Sequence, residues 1–230
     1  LAKPSHVPEE ILRLAEHDIL CKAVYDCLGS ISDDCSISLL IDGFNSRQKS
    51  CRSSAVKAVY RIYVRSGVNA RQKILDALRS MNGKEVISGL LNLFDSRDAL
   101  LTEALIWCSA ATGDIRFVPV LVESFEDERF TESASKTLKI FGTEGLSIVV
   151  AHYPAASENA RRAICELIGE CGYYGYSDLV GSALKDHSAS VRKAATTAVA
   201  KLGMVLSIPD LVALTDDSDP NVSSAAVSSL

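Results

Sequence analysis

The chain repeats itself. Reading back from Gly203, apolar or small residues stand at position −12 (Val191), at −9 and −8 (Ala194, Ala195), at −4 (Val199) and at −1 (Leu202). The same positions before Gly172 hold Ala160, Ala163, Ile164, Ile168 and Cys171, and those before Gly142 hold Phe130, Ser133, Ala134, Leu138 and Phe141. Gly113 ends a looser copy with Leu101, Ala104, Leu105, Ser109 and Thr112. Successive glycines are 29, 30 and 31 residues apart, and Val222 follows Val191 by 31. The stretch "ILCKAVYDCLG" reads as a further copy ending at Gly29. A unit of this size cannot bury its own apolar face, so copies must stack on one another.

Each marked segment follows a shorter apolar one: "VISGLLNLF", "FVPVLVESF", "YSDLVGSAL" and "IPDLVALTDD". Their spacing is helical, and Pro119 and Pro209 sit near the starts, where a missing N–H costs nothing. The unit is therefore a helical hairpin, and the paired alanines let second helices of neighbouring hairpins approach closely. The expected fold is all-α, an α-α superhelix (α-solenoid) of about six to seven stacked hairpins with a period of ~31 residues. Between residues 47 and 82 two helices, roughly 48–65 and 69–81, precede the next first helix near 84, so that either one hairpin is irregular or a helix is inserted. No Pro-, Gly- or Ser-rich linker interrupts the pattern, and residues 1–230 read as a single repeat domain.

Composition agrees with a stacked helical core: 47% of residues are hydrophobic but only 6% aromatic. The formal charge of −5 argues against whole-surface binding to nucleic acid or anionic lipid. The seven cysteines, Cys21, Cys27, Cys35, Cys51, Cys108, Cys165 and Cys171, form neither a CxxC pair nor a zinc-finger spacing, so reduced thiols in a cytoplasmic protein are expected. Cys21, Cys108 and Cys171, at −8, −5 and −1, are expected to pack as small hydrophobes. Runs such as "LSIVVA" are too short to cross a bilayer. Beginning at Leu1 and stopping within "NVSSAAVSSL", the sequence reads as a piece of a longer protein.

The segment "DHSASVRKAATTAVAKLGMVLSIPDLVALTDDSDPNV" resembles the HEAT repeat in its short bacterial, phycobilisome-lyase-type form. The matching residues are Asp186 and Asp217 before the second helix, the Val191-Arg192 pair, the paired alanines, the Leu202-Gly203 end and the Ile208-Pro209 start. Towards the N-terminus Arg192 corresponds to Arg161, then to Thr131 and Thr102. The resemblance implies that second helices line the concave surface. It also implies frequent attachment to signalling or regulatory modules.

No constellation of catalytic residues stands out. His6, His17, His152 and His187 include no His-Glu pair of the kind that the HEAT-like deoxyhypusine hydroxylases use for iron, and no phosphate loop or nucleophile elbow is present. No cofactor is expected. Trp107 stands at −6, the position of Lys136, Glu166 and Thr197 in later copies, and is either a groove contact or a core residue. Residues 43 to 75 contain no acid, and Lys57, Arg61 and Arg65 form a helical stripe, either a solvated face or a meeting point for an acidic partner. Tyr173 and Tyr174, with Tyr176, either make an exposed contact or fold back over a repeat seam.

The leading expectation is a noncatalytic scaffold that binds a partner protein, or another domain of its own chain, along the concave groove. The resemblance offers two alternatives, a bilin (tetrapyrrole) lyase-type subunit and a nucleic-acid binder like the HEAT-like alkylpurine DNA glycosylases. The mixed row Trp107, Lys136, Glu166, Thr197 argues against the second. An open final repeat would expose apolar surface through which the chain could dimerise.

Overall fold

The structure, a computed structural model, describes residues 8–31 apart from 16 and 18, then 36–81 and 83–230. His6 and Cys35 lie outside the described residues. The described residues form α-helices joined by turns and short 3-10 segments, with no strand among them. The chain divides into two compact units between Phe117 and Val118.

The first unit holds α1 (Glu9–Leu14), α2 (Cys21–Ile31), α3 (Ile37–Asp42), α4 (Lys49–Arg65), α5 (Val68–Arg79), α6 (Lys84–Leu91) and α7 (Ala99–Thr112). Leu28, Leu40, Phe44, Ile62, Ile74, Leu78, Ile87 and Leu90 form its fully buried centre. Here α4 keeps the register of the later second helices. "SCRSSAVKAV" (50–59) matches "SVRKAATTAV" (190–199), with Cys51 for Val191, Arg52 for Arg192 and Ala58 for Ala198. Arg52 donates to the carbonyls of Ser46 (2.7 Å) and Arg47 (3.1 Å), as Arg192 does to those of Asp186 (2.9 Å) and His187 (3.1 Å). The copy has Tyr63 where the others have glycine, so the helix runs on to Arg65. The additional helix is α5, packed against α3, α4 and α7 through Ala70, Ile74 and Leu78.

Two expectations are corrected in this unit. Gly29 does not end a copy: it lies inside α2, without a positive φ, because it is the point where α2 touches α4. A Cβ there would come within 2.8 Å of Cα and Cβ of Ala58. Nor are all the thiols reduced, since Cys21 and Cys51 face each other across the same helix pair, Cα–Cα 6.1 Å, and are disulfide-bonded. Cys27, Cys108, Cys165 and Cys171 are free.

The second unit holds α8 (Val118–Glu123), α9 (Glu128–Ile140), α10 (Gly142–His152), α11 (Glu158–Cys171), α12 (Ser177–Ala183), α13 (Ala189–Leu202), α14 (Ile208–Leu214) and α15 (Pro220–Ser229). Second helices stack in order, α9 on α11, α11 on α13 and α13 on α15. The local chemistry is repeated as well. Side chains at −15 cap helix starts in both units: Asp98 accepts from Leu101 N, Asp127 from Arg129 N, Ser157 from Ala160 N and Ser188 from Val191 N. Gly113, Gly172 and Gly203 then close α7, α11 and α13 in the left-handed region.

Between hairpins of the second unit, Arg161 grips Asp186 with two hydrogen bonds (2.8 and 3.1 Å), and Arg192 grips Asp217 in the same way (2.8 Å each). All four side chains are at most 15% exposed. These forks hold α11 and α13 each against the turn of the following hairpin.

Candidate outward face of the second helices

With α4 in register, Lys57 joins Trp107, Lys136, Glu166 and Thr197 at −6 of α4, α7, α9, α11 and α13. Lys136 and Thr197 are exposed, while Lys57, Trp107 and Glu166 are half-buried. One residue earlier, Val56, Ile106, Cys165 and Thr196 are buried and Ser135 is half-buried. The −6 position is thus the rim at which each second helix emerges from its stack.

In the first unit this rim is aromatic. The Trp107 ring lies 5.6 Å from that of Tyr60 and 4.5 Å from that of Tyr63, both tilted. Burial, together with a hydrogen bond from its hydroxyl to Glu103 (2.9 Å), pushes the Tyr60 phenol up to about 12. The Arg71 guanidinium stands 5.4 Å over Tyr63 and donates to the carbonyls of Tyr63 and Val64 at the end of α4. Trp107 is therefore neither free in a groove nor sealed in the core: one side is packed and part of the ring stays open.

The basic stripe has other work within the unit. Lys57 donates to Asp98 at 2.8 Å, and this bond is the first cause holding that carboxyl below its ordinary range. Asp98 is also the N-cap of α7, so the ion pair ties α4 to the start of the next second helix. Arg65 donates to the carbonyls of Gly29, Ser30 and Arg61, covering the carboxyl end of α2. Arg61 is half-buried on the same helix. The structure thus brings Trp107 together with Tyr60 and Tyr63, which sequence reasoning missed. Aligning α4 with α13 would have placed both tyrosines at the end of a second helix.

In the second unit the rim opens onto a groove of about 600 Å³ between α9 and α11, lined by Glu132, Lys136, Lys139, Arg162, Glu166 and Glu170. The charges pair along and across it: Lys136 with Glu132 (2.5 Å), Arg162 with Glu166 (3.2 Å) and Lys139 with Glu170 (2.6 Å). The Lys139 hydrogen bond is the main cause of the depressed Glu170 carboxyl. Thr197, on α13, donates to the Lys193 carbonyl of its own helix (3.1 Å) and stands outside this groove.

Tyr173 and Tyr174 lie apart, on the turn before α12. Tyr173 is half-buried, while Tyr174 is 56% exposed and donates to the Gly203 carbonyl of the next hairpin at 2.7 Å. Burial pushes the Cys165 thiol up to about 12 and raises that of Cys108 further. Cys171 is half-buried. Among the described residues no group of three or more His, Cys, Asp or Glu side chains could hold a metal ion, and no helix is long and apolar enough to cross a membrane.

Residues 147–230 match the family described as HEAT repeats. No curated protein matches the chain. Among solved structures, a designed armadillo repeat protein in complex with the peptide (KR)4 is 18% identical, covering 83% of this chain and 96% of its own, with a TM-score of 0.47. Human deoxyhypusine hydroxylase in complex with glycerol is 16% identical, with 97% and 84% covered and a TM-score of 0.39. The complex of CpcE and CpcF of phycocyanin lyase from Nostoc sp. PCC7120 is 14% identical, with 99% and 96% covered and a TM-score of 0.39. The helical repetition is established by the chain's own helices.

Proposed function

We propose that this chain, a HEAT-repeat protein by the match over residues 147–230, is a noncatalytic scaffold that holds a partner protein, or another domain of its own chain, on the outward faces of its second helices. One observation carries the reading. The −6 side chains emerge at the rim of helix after helix, and in the second unit two of them, Lys136 and Glu166, line a groove of paired charges. Ion pairs as open as Lys136 with Glu132, 70% and 82% exposed, contribute little to stability. A partner's own charges can replace them at small cost and gain register from their order along the groove. In the first unit the open part of Trp107, braced by Tyr60 and Tyr63, is a rigid aromatic anchor. A noncatalytic role is supported by groove charges that are spent on each other and by the Cys108 and Cys165 thiols, which burial keeps protonated.

The test is a comparison of what co-purifies from native extract with the wild-type chain, with Trp107→Ala, and with the charge-swapped pair Lys136→Glu, Glu166→Lys. Loss of the same partner protein by a variant with an unchanged circular dichroism spectrum is the expected result. Identical partners from all three would remove these faces from the reading. A bound pigment or nucleic acid in place of protein would overturn the scaffold itself.

A further inference from the structure

The turn joining α13 to α14 carries Val205 and Leu206 at 71% and 96% exposure. The corresponding turns have Ile115 with Arg116 and Tyr174 with Gly175, so a leucine stands bare where its counterparts are charged or lack a side chain. A leucine left in water forgoes the burial that its side chain gains elsewhere in the chain. Beside it lies a groove of about 780 Å³ between the turns and helices of successive hairpins. Tyr174, Met204, Val205 and Leu206 supply apolar walls. Gly181 opens onto it, since a Cβ on that residue would meet nothing within 4 Å. Its charged residues are Asp178, Lys185 and Asp210. Lys185 pairs with Asp210 at 3.1 Å, which leaves the exposed Asp178 carboxylate as the unbalanced charge.

We infer that this groove, on elements separate from the second-helix faces, docks a short peptide segment of a partner protein that carries large apolar side chains beside a lysine or arginine. The apolar side chains fill the space over Gly181 between Tyr174 and Leu206, and the cation pairs with Asp178. The commitment to a cation follows from the net negative rim.

Two fluorescent peptides test it, KLLKKLLKKLLK and its charge-reversed form ELLEELLEELLE, by anisotropy against the wild-type chain, Gly181→Leu, Leu206→Ser and Asp178→Asn. Gly181→Leu puts side chain into open space and replaces a helical glycine, so its melting temperature should not fall. The lysine peptide should bind about tenfold or more tightly than the glutamate peptide. Gly181→Leu and Leu206→Ser should each weaken it about tenfold, and Asp178→Asn should narrow the difference between the two peptides. Absence of binding, equal binding of both peptides, or binding that survives Gly181→Leu overturns the proposal. So does a concentration-dependent dimer that Leu206→Ser abolishes and the peptides do not disturb, since the occupant would then be a second copy.

Discussion

Gly169 and Gly181 are both helical glycines, and replacing each with alanine should move stability in opposite directions. In an open helix the change gains about 1 kcal/mol from propensity. Gly181→Ala should collect that gain, because its Cβ meets nothing within 4 Å. Gly169 lies where α11 crosses α13, and a Cβ there would fall 2.8 Å from Cα and 2.9 Å from Cβ of Ala198. Ordinary contact begins near 3.4 Å, so the two helices must part by about 0.6 Å, and the obstacle is backbone that cannot swing aside. The two helices also carry Ile164, Ile168, Val191, Ala195 and Val199, all buried, and overpacking of such a core costs about 1–3 kcal/mol. The clash therefore wins, and Gly169→Ala should lose about 1–2 kcal/mol net. Urea unfolding followed by far-UV circular dichroism measures both variants. Combining Gly169→Ala with Ala198→Gly should show a favourable coupling energy, since the second change removes one of the two clashing atoms. A Gly169→Ala protein as stable as the wild type would refute the argument that close approach sets the helix spacing.

The Arg192 hydrogen bond is the first cause holding the Asp217 carboxyl below its ordinary range, so the folded state binds its proton at lower pH than the unfolded state does. The resulting stability is fully present above the ordinary carboxylate value of about 4 and is lost as pH falls through the folded value. Arg192→Gln should cost about 2 kcal/mol at neutral pH and flatten the acid limb of the stability profile; an acid limb parallel to the wild type would refute the assignment. Asp98→Ala removes both a helix cap and the partner of Lys57, and should cost about 1–2 kcal/mol in thermal or urea unfolding, with Asp98→Asn costing less because the cap survives. Peptide mapping after brief thiol alkylation at mildly alkaline pH should find Cys27 modified and Cys108 and Cys165 intact, because the first is exposed and burial raises the other two. Modification of Cys165 at the rate of Cys27 would contradict its burial.

What the sequence determined by itself is whatever a few neighbouring residues decide. Hairpins, stops and caps are local: the positive φ at Gly113, Gly172 and Gly203 suits glycine, and Ser or Asp at −15 can reach the first free N–H groups of its own helix. The outward −6 row was legible for the same reason, since helical periodicity alone orients it. The local rule failed where one residue broke the pattern. Tyr63 in place of glycine hid the α4 copy, and Gly29 looked like a stop although it is a contact. Only the tertiary structure decided the pairings: Cys21 with Cys51 across 30 residues, Lys57 with Asp98 across 41, Tyr60 with Glu103 across 43, and Trp107 between two tyrosines. Each of these depends on how far one helix slides and turns against the next. That offset is set by close contacts such as Gly29 on Ala58 and Gly169 on Ala198, and a period of some thirty residues does not carry it.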